Sequence, residues 1–291
     1  MKKRFITVMM IVTMGMGMTM PVALAAVPSM KTGFTYSKDS DGVVLHSYNI
    51  GTNEEEEPFN FTVYHTRLAQ SGMTISENTL QGKWRRPVGQ GYITLWAGYM
   101  KNDIRNAGTY ALMYDEVVGF DDHVWLSYGH DIVDTVLAHK AGIGSTTATV
   151  SYLHKTASDI DINVVATHNK YSDNNTQQIY NLAIEKKIRS NFKVGLNYGY
   201  STADHAASPV YYVPINESVI SLKPELTVPL GTGKMVIVAE QALTGHSNGS
   251  ASHRHSIGST ITFGKFSVGT KYYSDVGYNA RSSYINWDSS F

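Results

Sequence analysis

The stretch FKVGLNYGY, residues 192–200, decides the fold class of this chain. Phe192, Val194, Leu196, Tyr198 and Tyr200 are apolar or aromatic, and the residues between them are small or polar. Successive side chains of a β-strand point to opposite faces, so such a strand has one apolar face and one polar face. The stretch therefore predicts a strand, because apolar residues on a helix would recur every three or four positions.

The same period of two recurs through almost the whole chain, for example from Ile93 to Tyr99 and from Ile160 to Ala166. Turn-forming residues separate the segments, which predicts about sixteen strands. The predicted strands are 32–38, 43–50, 59–68, 77–86, 91–100, 109–117, 122–128, 145–155, 159–168, 177–188, 191–201, 218–228, 234–243, 255–264, 266–273 and 282–291. An even number of about sixteen strands is typical of bacterial membrane barrels with an aqueous lumen. We therefore predict an all-β fold, a single transmembrane antiparallel β-barrel.

The first 25 residues have the three parts of a secretory signal peptide. Lys2, Lys3 and Arg4 form a basic start, an apolar stretch follows, and Ala23 to Ala25 supply small residues around the cleavage point. We expect cleavage near Ala25, which leaves residues 26–291 as the barrel. Between those residues no run reaches the about 18–20 apolar residues that a membrane helix needs.

Composition excludes several classes of function. The chain has 24 basic and 24 acidic residues, and cleavage removes basic ones only, so no basic field for nucleic acid remains. It has no cysteine, which excludes thiol catalysis and cysteine metal sites. We expect no cofactor and no resident metal.

The connections between predicted strands alternate in length. Those at 87–90, 189–190, 230–233 and 264–265 are short, and those at 68–76, 129–144, 169–176, 203–217 and 244–254 are longer. Outer-membrane barrels have short periplasmic turns and long outer loops, so we place 129–144 and 203–217 outside. The acidic run Glu54 to Glu57 falls on the periplasmic side and is interpreted as a solvated turn or, alternatively, a docking patch.

The chain ends on Phe291, at the end of an alternating strand that also holds Ile285 and Trp287. A terminal aromatic residue there resembles the signal by which the barrel-assembly machinery recognises outer-membrane proteins. Together with the signal peptide it favours a barrel in the outer membrane of a Gram-negative bacterium over a soluble sandwich.

If the apolar face of each strand meets outer-membrane lipid, the other face lines the lumen. Both signs of charge are mixed there, which suits a hydrated neutral or mixed-charge solute better than an ion of one sign. Trp96 and Trp125, with Tyr64 and Tyr273, either pack inside the lumen or stack on sugar rings. The predicted lumen-lining residues are Lys83, Arg85, Trp96, Asp115, Trp125, Asp161, Asn163, Glu185, Lys187, Lys193, Asn197, Lys223, Glu225, Glu240, Lys271 and Asp288.

Three segments carry a family resemblance: Ser127 to Gly144, Lys170 to Asn175 and Val210 to Ser218. They are similar to parts of the C-terminal outer-membrane β-barrel of tetratricopeptide-repeat proteins that export exopolysaccharides such as cellulose and poly-N-acetylglucosamine. The residues that carry the resemblance are Asp131, Asp134, Thr135, Gly142, Tyr211, Tyr212 and Pro214. Gly142 and Pro214 are also interpreted as structural residues: Gly142 lies in a loop that must turn, and Pro214 lies shortly before a strand, where proline is tolerated.

The resemblance implies a sixteen-stranded pore that lets a polysaccharide chain leave the periplasm, served by an inner-membrane synthase. This chain departs from the family pattern at His130, where arginine is usual, and only a short segment precedes the first predicted strand. A separate periplasmic repeat-containing or scaffold protein is therefore an expected partner.

One motif suggests chemistry. Outer-membrane lipases and deacylases place a histidine two residues before a serine, so that both share a strand face. His246 and Ser247 are adjacent and would point oppositely, so we interpret them as part of an outer loop. A metal site at His246, His253 and His255 has no recognised ligand spacing. We expect no enzymatic activity; an outer-membrane hydrolase, a general diffusion porin and a structural barrel remain the alternatives.

Overall fold

The computed structural model describes residues 30–39, 43–52, 58–70, 72–118, 121–133, 135–205, 210–211, 213–275 and 278–289. Sixteen antiparallel strands form a closed barrel in which each strand pairs with its neighbours in sequence and β1 pairs with β16. This confirms the predicted fold class. The strands are β1 Met30–Asp39, β2 Val44–Thr52, β3 Phe59–Gln70, β4 Met73–Val88, β5 Gly91–Asn102, β6 Asn106–Val118, β7 Asp122–Ile132, β8 Gly144–Lys155, β9 Ile160–Tyr171, β10 Thr176–Arg189, β11 Phe192–Ala203, β12 Glu217–Leu230, β13 Gly233–Gly245, β14 Ala251–Phe263, β15 Phe266–Asp275 and β16 Tyr278–Ser289.

The two ends of the barrel differ. One end, the terminal end, holds Met30, Ser289 and the short turns at 89–90, 190–191, 231–232 and 264–265. The other end holds the connections at 133–143 and 204–216, and we call it the capped end. A six-residue helix, α1 Val136–Ala141, lies in the first of these connections. The two longest connections are therefore both at the capped end.

The outer face of the barrel is apolar and exposed. Leu112, Val150, Leu196 and Ile257 are among many large aliphatic side chains that stay open to the surroundings, and Val150 is 54% exposed. Covering one such side chain is worth about 1.5–3 kcal/mol, so a continuous belt of them is unfavourable in water. The belt is suited to lipid.

In the described residues, no helix has the length and hydropathy needed to cross a bilayer.

Several predicted connections are shorter in the structure: β7 continues to Ile132 and β14 begins at Ala251, which leaves connections at 133–143 and 246–250 instead of 129–144 and 244–254. The segment 68–76 is not a long loop, because β3 runs to Gln70 and β4 begins at Met73. Leu68 pairs with Ile75 there, and both side chains are buried inside the barrel. At this end of β3 and β4 the apolar residues face inward instead of outward. The outward-apolar pattern used to predict strands therefore ends before the strands do. Likewise β4 continues through Pro87 and Val88, and only residues 89–90 turn, with Gly89 at φ 63°.

Candidate functional site: the lumen and its capped mouth

The inward face is defined by the strand register. Residues that face each other on neighbouring strands share a face, and the inward set alternates with the exposed aliphatic set. The register places these sequence-predicted residues on the inward face: Lys83, Arg85, Trp96, Asp115, Trp125, Asp161, Asn163, Glu185, Lys187, Lys193, Asn197, Lys223, Glu225, Glu240 and Lys271. Asp288 pairs with Lys31 through its backbone, and its side chain lies outside the described part. Their role as pore lining stays a prediction.

The inward charges neutralise one another locally. Lys193 Nζ on β11 lies 2.9 Å from Glu185 Oε1 on β10 and 3.3 Å from Glu225 Oε2 on β12. These side chains border a cavity of about 390 Å³ near the terminal end. Arg254 and Glu240 form a similar pair at 3.7 Å. In the described part of the wall, donors and acceptors therefore alternate and the charges do not form a ring of one sign.

An inward row of aromatic and charged side chains crosses four strands, from β4 to β7. Tyr92 on β5 faces Asp115 on β6, which faces Trp125 on β7. Tyr92 is 41% exposed and Trp125 is 42% exposed, although both are on the inward face. The Arg85 guanidinium lies 4.0 Å from the centre of the Tyr92 ring and 3.5 Å from Asp115 Oδ2. We call these four residues the aromatic row.

Other inward aromatics are more enclosed. Trp96 lines a cavity of about 320 Å³ together with Gln81, Ser127 and Thr147. The Tyr64 hydroxyl donates to Gln81 Oε1 at 3.4 Å, and the Tyr273 hydroxyl donates to Asp275 Oδ2 at 3.3 Å. The lumen therefore holds both packed aromatic side chains and, in the aromatic row, aromatic side chains that remain about two-fifths exposed.

The three family-like segments meet at the capped end. Thr135 Oγ1 donates to Val210 O at 2.6 Å, and Gly144 N donates to Ser172 Oγ at 3.1 Å. The rings of Tyr171 and Tyr211 stack with their centres 4.5 Å apart. Segments that are distant in sequence thus form one unit, which we call the cap: residues 133, 135–143, 171–175, 210, 211 and 213.

Local chemistry defines both ends of α1. Thr135 Oγ1 accepts from Ala138 N, which makes Thr135 the N-cap, and Gly142 ends the helix at φ 73° with its N–H on His139 O. A left-handed residue after the helix is the usual place for glycine. Such a short helix is marginal by itself, so its tertiary contacts hold it in place.

Helix α1 crosses the barrel mouth. Val136 has no exposed surface and packs against Leu68 and Ile75, which are on β3 and β4. Ala138, equally buried, packs with Tyr171 and Tyr211 near β9 and β12. These two contact regions lie on opposite sides of the ring of sixteen strands. The helix therefore occupies the mouth and joins its two sides.

A buried polar contact fixes the α1 helix to the β4–β6 side. His139 is 4% exposed; its Nδ1 is 3.0 Å from Asn102 Nδ2, and its Nε2 is 3.8 Å from Glu77 Oε2. Arg105 adds a hydrogen bond from Nη2 to Ile143 O at 3.1 Å. The residue types gave no sequence signal for these contacts, because the partners are far apart in the chain.

A second polar network holds Tyr211 in the cap. The Tyr211 hydroxyl donates to Asp173 Oδ2 at 2.8 Å and accepts from Asn175 Nδ2 at 3.3 Å. Asn175 is fully buried and also donates to His205 O at 2.9 Å. Burial, and then the Asp173 hydrogen bond, raise the pKa of Tyr211 to about 12, so the hydroxyl stays protonated over the physiological range.

The remaining predicted positions are placed as follows. Asp131 Oδ1 accepts from Ile132 N at 2.8 Å, and Pro214 precedes β12. Asp134, Tyr212, Phe291, the Glu54 to Glu57 run and the signal-peptide residues lie outside the described part of the chain. His246 follows β13 in a hairpin loop and contacts Ser252 and Glu217. Within the described ranges, no group of three His, Asp or Glu residues is arranged to hold a metal ion.

Comparison with solved structures supports the fold. A bacterial polysaccharide outer membrane secretin matches with a TM-score of 0.72 at 10% identity, over 92% of this chain and 99% of that one. CdiB from Acinetobacter baumannii has a TM-score of 0.59 at 9% identity, over 91% of this chain and 60% of its own. OccK11 from Pseudomonas aeruginosa has a TM-score of 0.53 at 9% identity, over 89% and 94%.

No protein-family model and no curated protein sequence matches the chain. The protein therefore has the fold of outer-membrane barrels, and identities near 10% carry the fold alone.

Proposed function

We propose that this protein is an outer-membrane pore through which a polysaccharide chain leaves the periplasm. The aromatic row is the observation that carries the proposal. Sugar rings have apolar C–H faces that pack on aromatic rings, and their hydroxyls bind carboxylates and guanidinium groups. Tyr92 and Trp125 are each about two-fifths exposed, Asp115 lies between them, and the Arg85 guanidinium covers one face of the Tyr92 ring.

The rest of the inward face is compatible with a polymer that must slide. Lys193 sits between two carboxylates, so its charge is already matched and holds no passing ion of one sign strongly. Alternating donors and acceptors exchange hydrogen bonds with hydroxyl groups at little net cost. A neutral or mixed-charge polysaccharide fits this wall.

The cap is part of the proposed function, because α1 lies across the exit. A polymer passes only when α1 moves out of the mouth. Polymer arriving under force from an inner-membrane synthase, guided by a periplasmic repeat or scaffold protein, supplies the work for that movement. A closed exit at rest preserves the barrier function of the outer membrane.

The proposal is tested in cells by deleting the gene and measuring extracellular polysaccharide. We expect secretion to be lost and to return with the wild-type gene. Complementation with Trp125→Ala should restore it poorly, whereas Trp84→Ala, on the outward face of β4, should restore it fully. Unchanged polymer secretion in the deletion strain refutes the proposal.

Planar-bilayer conductance of the purified barrel distinguishes a general porin from a polysaccharide exporter. A diffusion porin conducts steadily without a partner. A capped exporter stays closed for most of the time, with brief openings.

A further inference from the structure

Three polar side chains from three segments meet at the capped end of the barrel wall. Ser252 lies at the start of β14, His246 follows the end of β13, and Glu217 begins β12. His246 Nε2 is 3.1 Å from Ser252 Oγ, and His246 Nδ1 is 3.4 Å from Glu217 Oε2. A histidine that contacts a serine through Nε2 and a carboxylate through Nδ1 is arranged to accept the serine proton.

The fold fixes this arrangement. Ser218 pairs with Gly245 in the β12–β13 register, which brings Glu217 next to His246. The hairpin loop is closed by His246 N donating to Ser250 O at 2.9 Å and Gly249 N donating to His246 O at 3.0 Å. Thr244 pairs with Ser252, so the serine stands beside the histidine across the hairpin. These two backbone hydrogen bonds fix the position of His246 in the hairpin loop.

All three side chains are on the inward side. Ser252 and its partner Thr244 are both buried, whereas the outward residues Leu243 and Ile257 of the same strands are exposed. His246 keeps about a third of its side chain open to water. A lipid acyl chain on the outer face has no direct path to this site, but a solute in the barrel mouth does.

We propose that Ser252, His246 and Glu217 form a serine-hydrolase site for water-borne acyl esters. Ser252 and His246 are the catalytic residues, and Glu217 positions the imidazole with its proton on Nδ1. The identity of the ester as an O-acyl group on a sugar rests on the proposed export function. The hydrolytic chemistry itself does not depend on that function.

The reaction proceeds in two balanced steps. Ser252 Oγ attacks the ester carbonyl carbon while its proton moves to His246 Nε2; the C–O bond to the sugar then breaks, and the sugar oxygen takes that proton. Water next attacks the acyl-serine, giving its proton to Nε2, and the acyl–Oγ bond breaks as Ser252 regains a proton. The products are a carboxylic acid and a free hydroxyl on the sugar.

The sequence does not reveal this pairing, because the serine next to His246 in the chain is Ser247, whose side chain would point to the opposite face of an extended strand. The serine that contacts His246 lies on the other strand of the hairpin.

The test uses the purified full-length barrel in detergent, with p-nitrophenyl acetate and a fluorophosphonate label. We expect one label per chain on Ser252, identified by peptide mass, and at least about 100-fold slower hydrolysis in Ser252→Ala. The matched control Ser247→Ala should hydrolyse at the wild-type rate. Wild-type hydrolysis by Ser252→Ala, labelling elsewhere, or no labelling overturns the proposal.

Further readouts separate catalysis from structure. Glu217→Gln should change the pH profile of kcat/KM as well as its size, a change that a purely structural role does not produce. Heat-dependent mobility on gels checks that each variant keeps the folded barrel. An O-acetylated oligosaccharide should be deacetylated and phospholipid vesicles should not; the reverse result refutes the substrate class. Polymer secretion should persist in Ser252→Ala, so failure of the hydrolase proposal is distinct from failure of the pore proposal.

Discussion

Val136→Ala should open the cap. Val136 is fully buried in the mouth between Leu68 and Ile75, and the substitution removes two methyl groups. At about 0.8 kcal/mol for each buried carbon, with a smaller term for the cavity left behind, the closed state loses about 2 kcal/mol. Since 1.4 kcal/mol is a factor of ten, the ratio of open to closed barrels should rise about thirtyfold.

The assay is single-channel recording in planar bilayers at low voltage. Open probability of Val136→Ala should exceed the wild-type value by roughly that factor, with the same open conductance, because the barrel itself is unchanged. Val150→Ala is the matched control, since it removes the same two methyl groups from the lipid-facing side of β8 and should leave gating unaltered. Equal open probability in wild type and Val136→Ala refutes the account of α1 as the closure.

Three further predictions follow from the cap and the lumen. Gly142→Ala should also raise the open probability, because φ is 73° there and a Cβ in that region destabilises the closed state by about 1–2 kcal/mol. The same single-channel recordings measure this change, and wild-type gating in the variant contradicts the prediction. Tyr211 has its pKa raised from 10.0 to about 12, so its contribution to closure is complete below pH 10 and is lost as pH rises through 12; openings should increase over that range in wild type, and Tyr211→Phe should show little of this dependence. Lys193→Met leaves Glu185 and Glu225 unmatched, so reversal potentials should shift towards cation selectivity, with a loss of roughly 1 kcal/mol or less in urea unfolding because the groups are partly exposed.

The barrel was predictable because its rule is local. Lipid outside and water inside force apolar and polar side chains to alternate, as at Phe192 to Tyr200, and the number of such segments gave the sixteen strands. The rule fails where the environment changes. At Leu68 and Ile75 the apolar side chains point inward to meet α1, so a strand end resembled a loop.

The cap itself was not predictable in detail. Helix α1 is too short to show a helical period, and contacts with strands far away in sequence hold it. The family-like segments marked Thr135 and Tyr211 but could not show that they share one unit. His139 and Ser252 carried no signal, because their meaning depends on partners that only the closed barrel brings near.

The most direct test of polysaccharide passage is photo-crosslinking inside living cells. Benzoylphenylalanine in place of Trp125 should link the barrel to polymer in transit, giving a high-mass product that a glycosidase digests and that requires active polymer synthesis. The same probe in place of Tyr198, which is 49% exposed on the lipid-facing side of β11, should give none. The account is contradicted if the probe at position 125 gives no crosslink to polymer, or if the two positions crosslink equally.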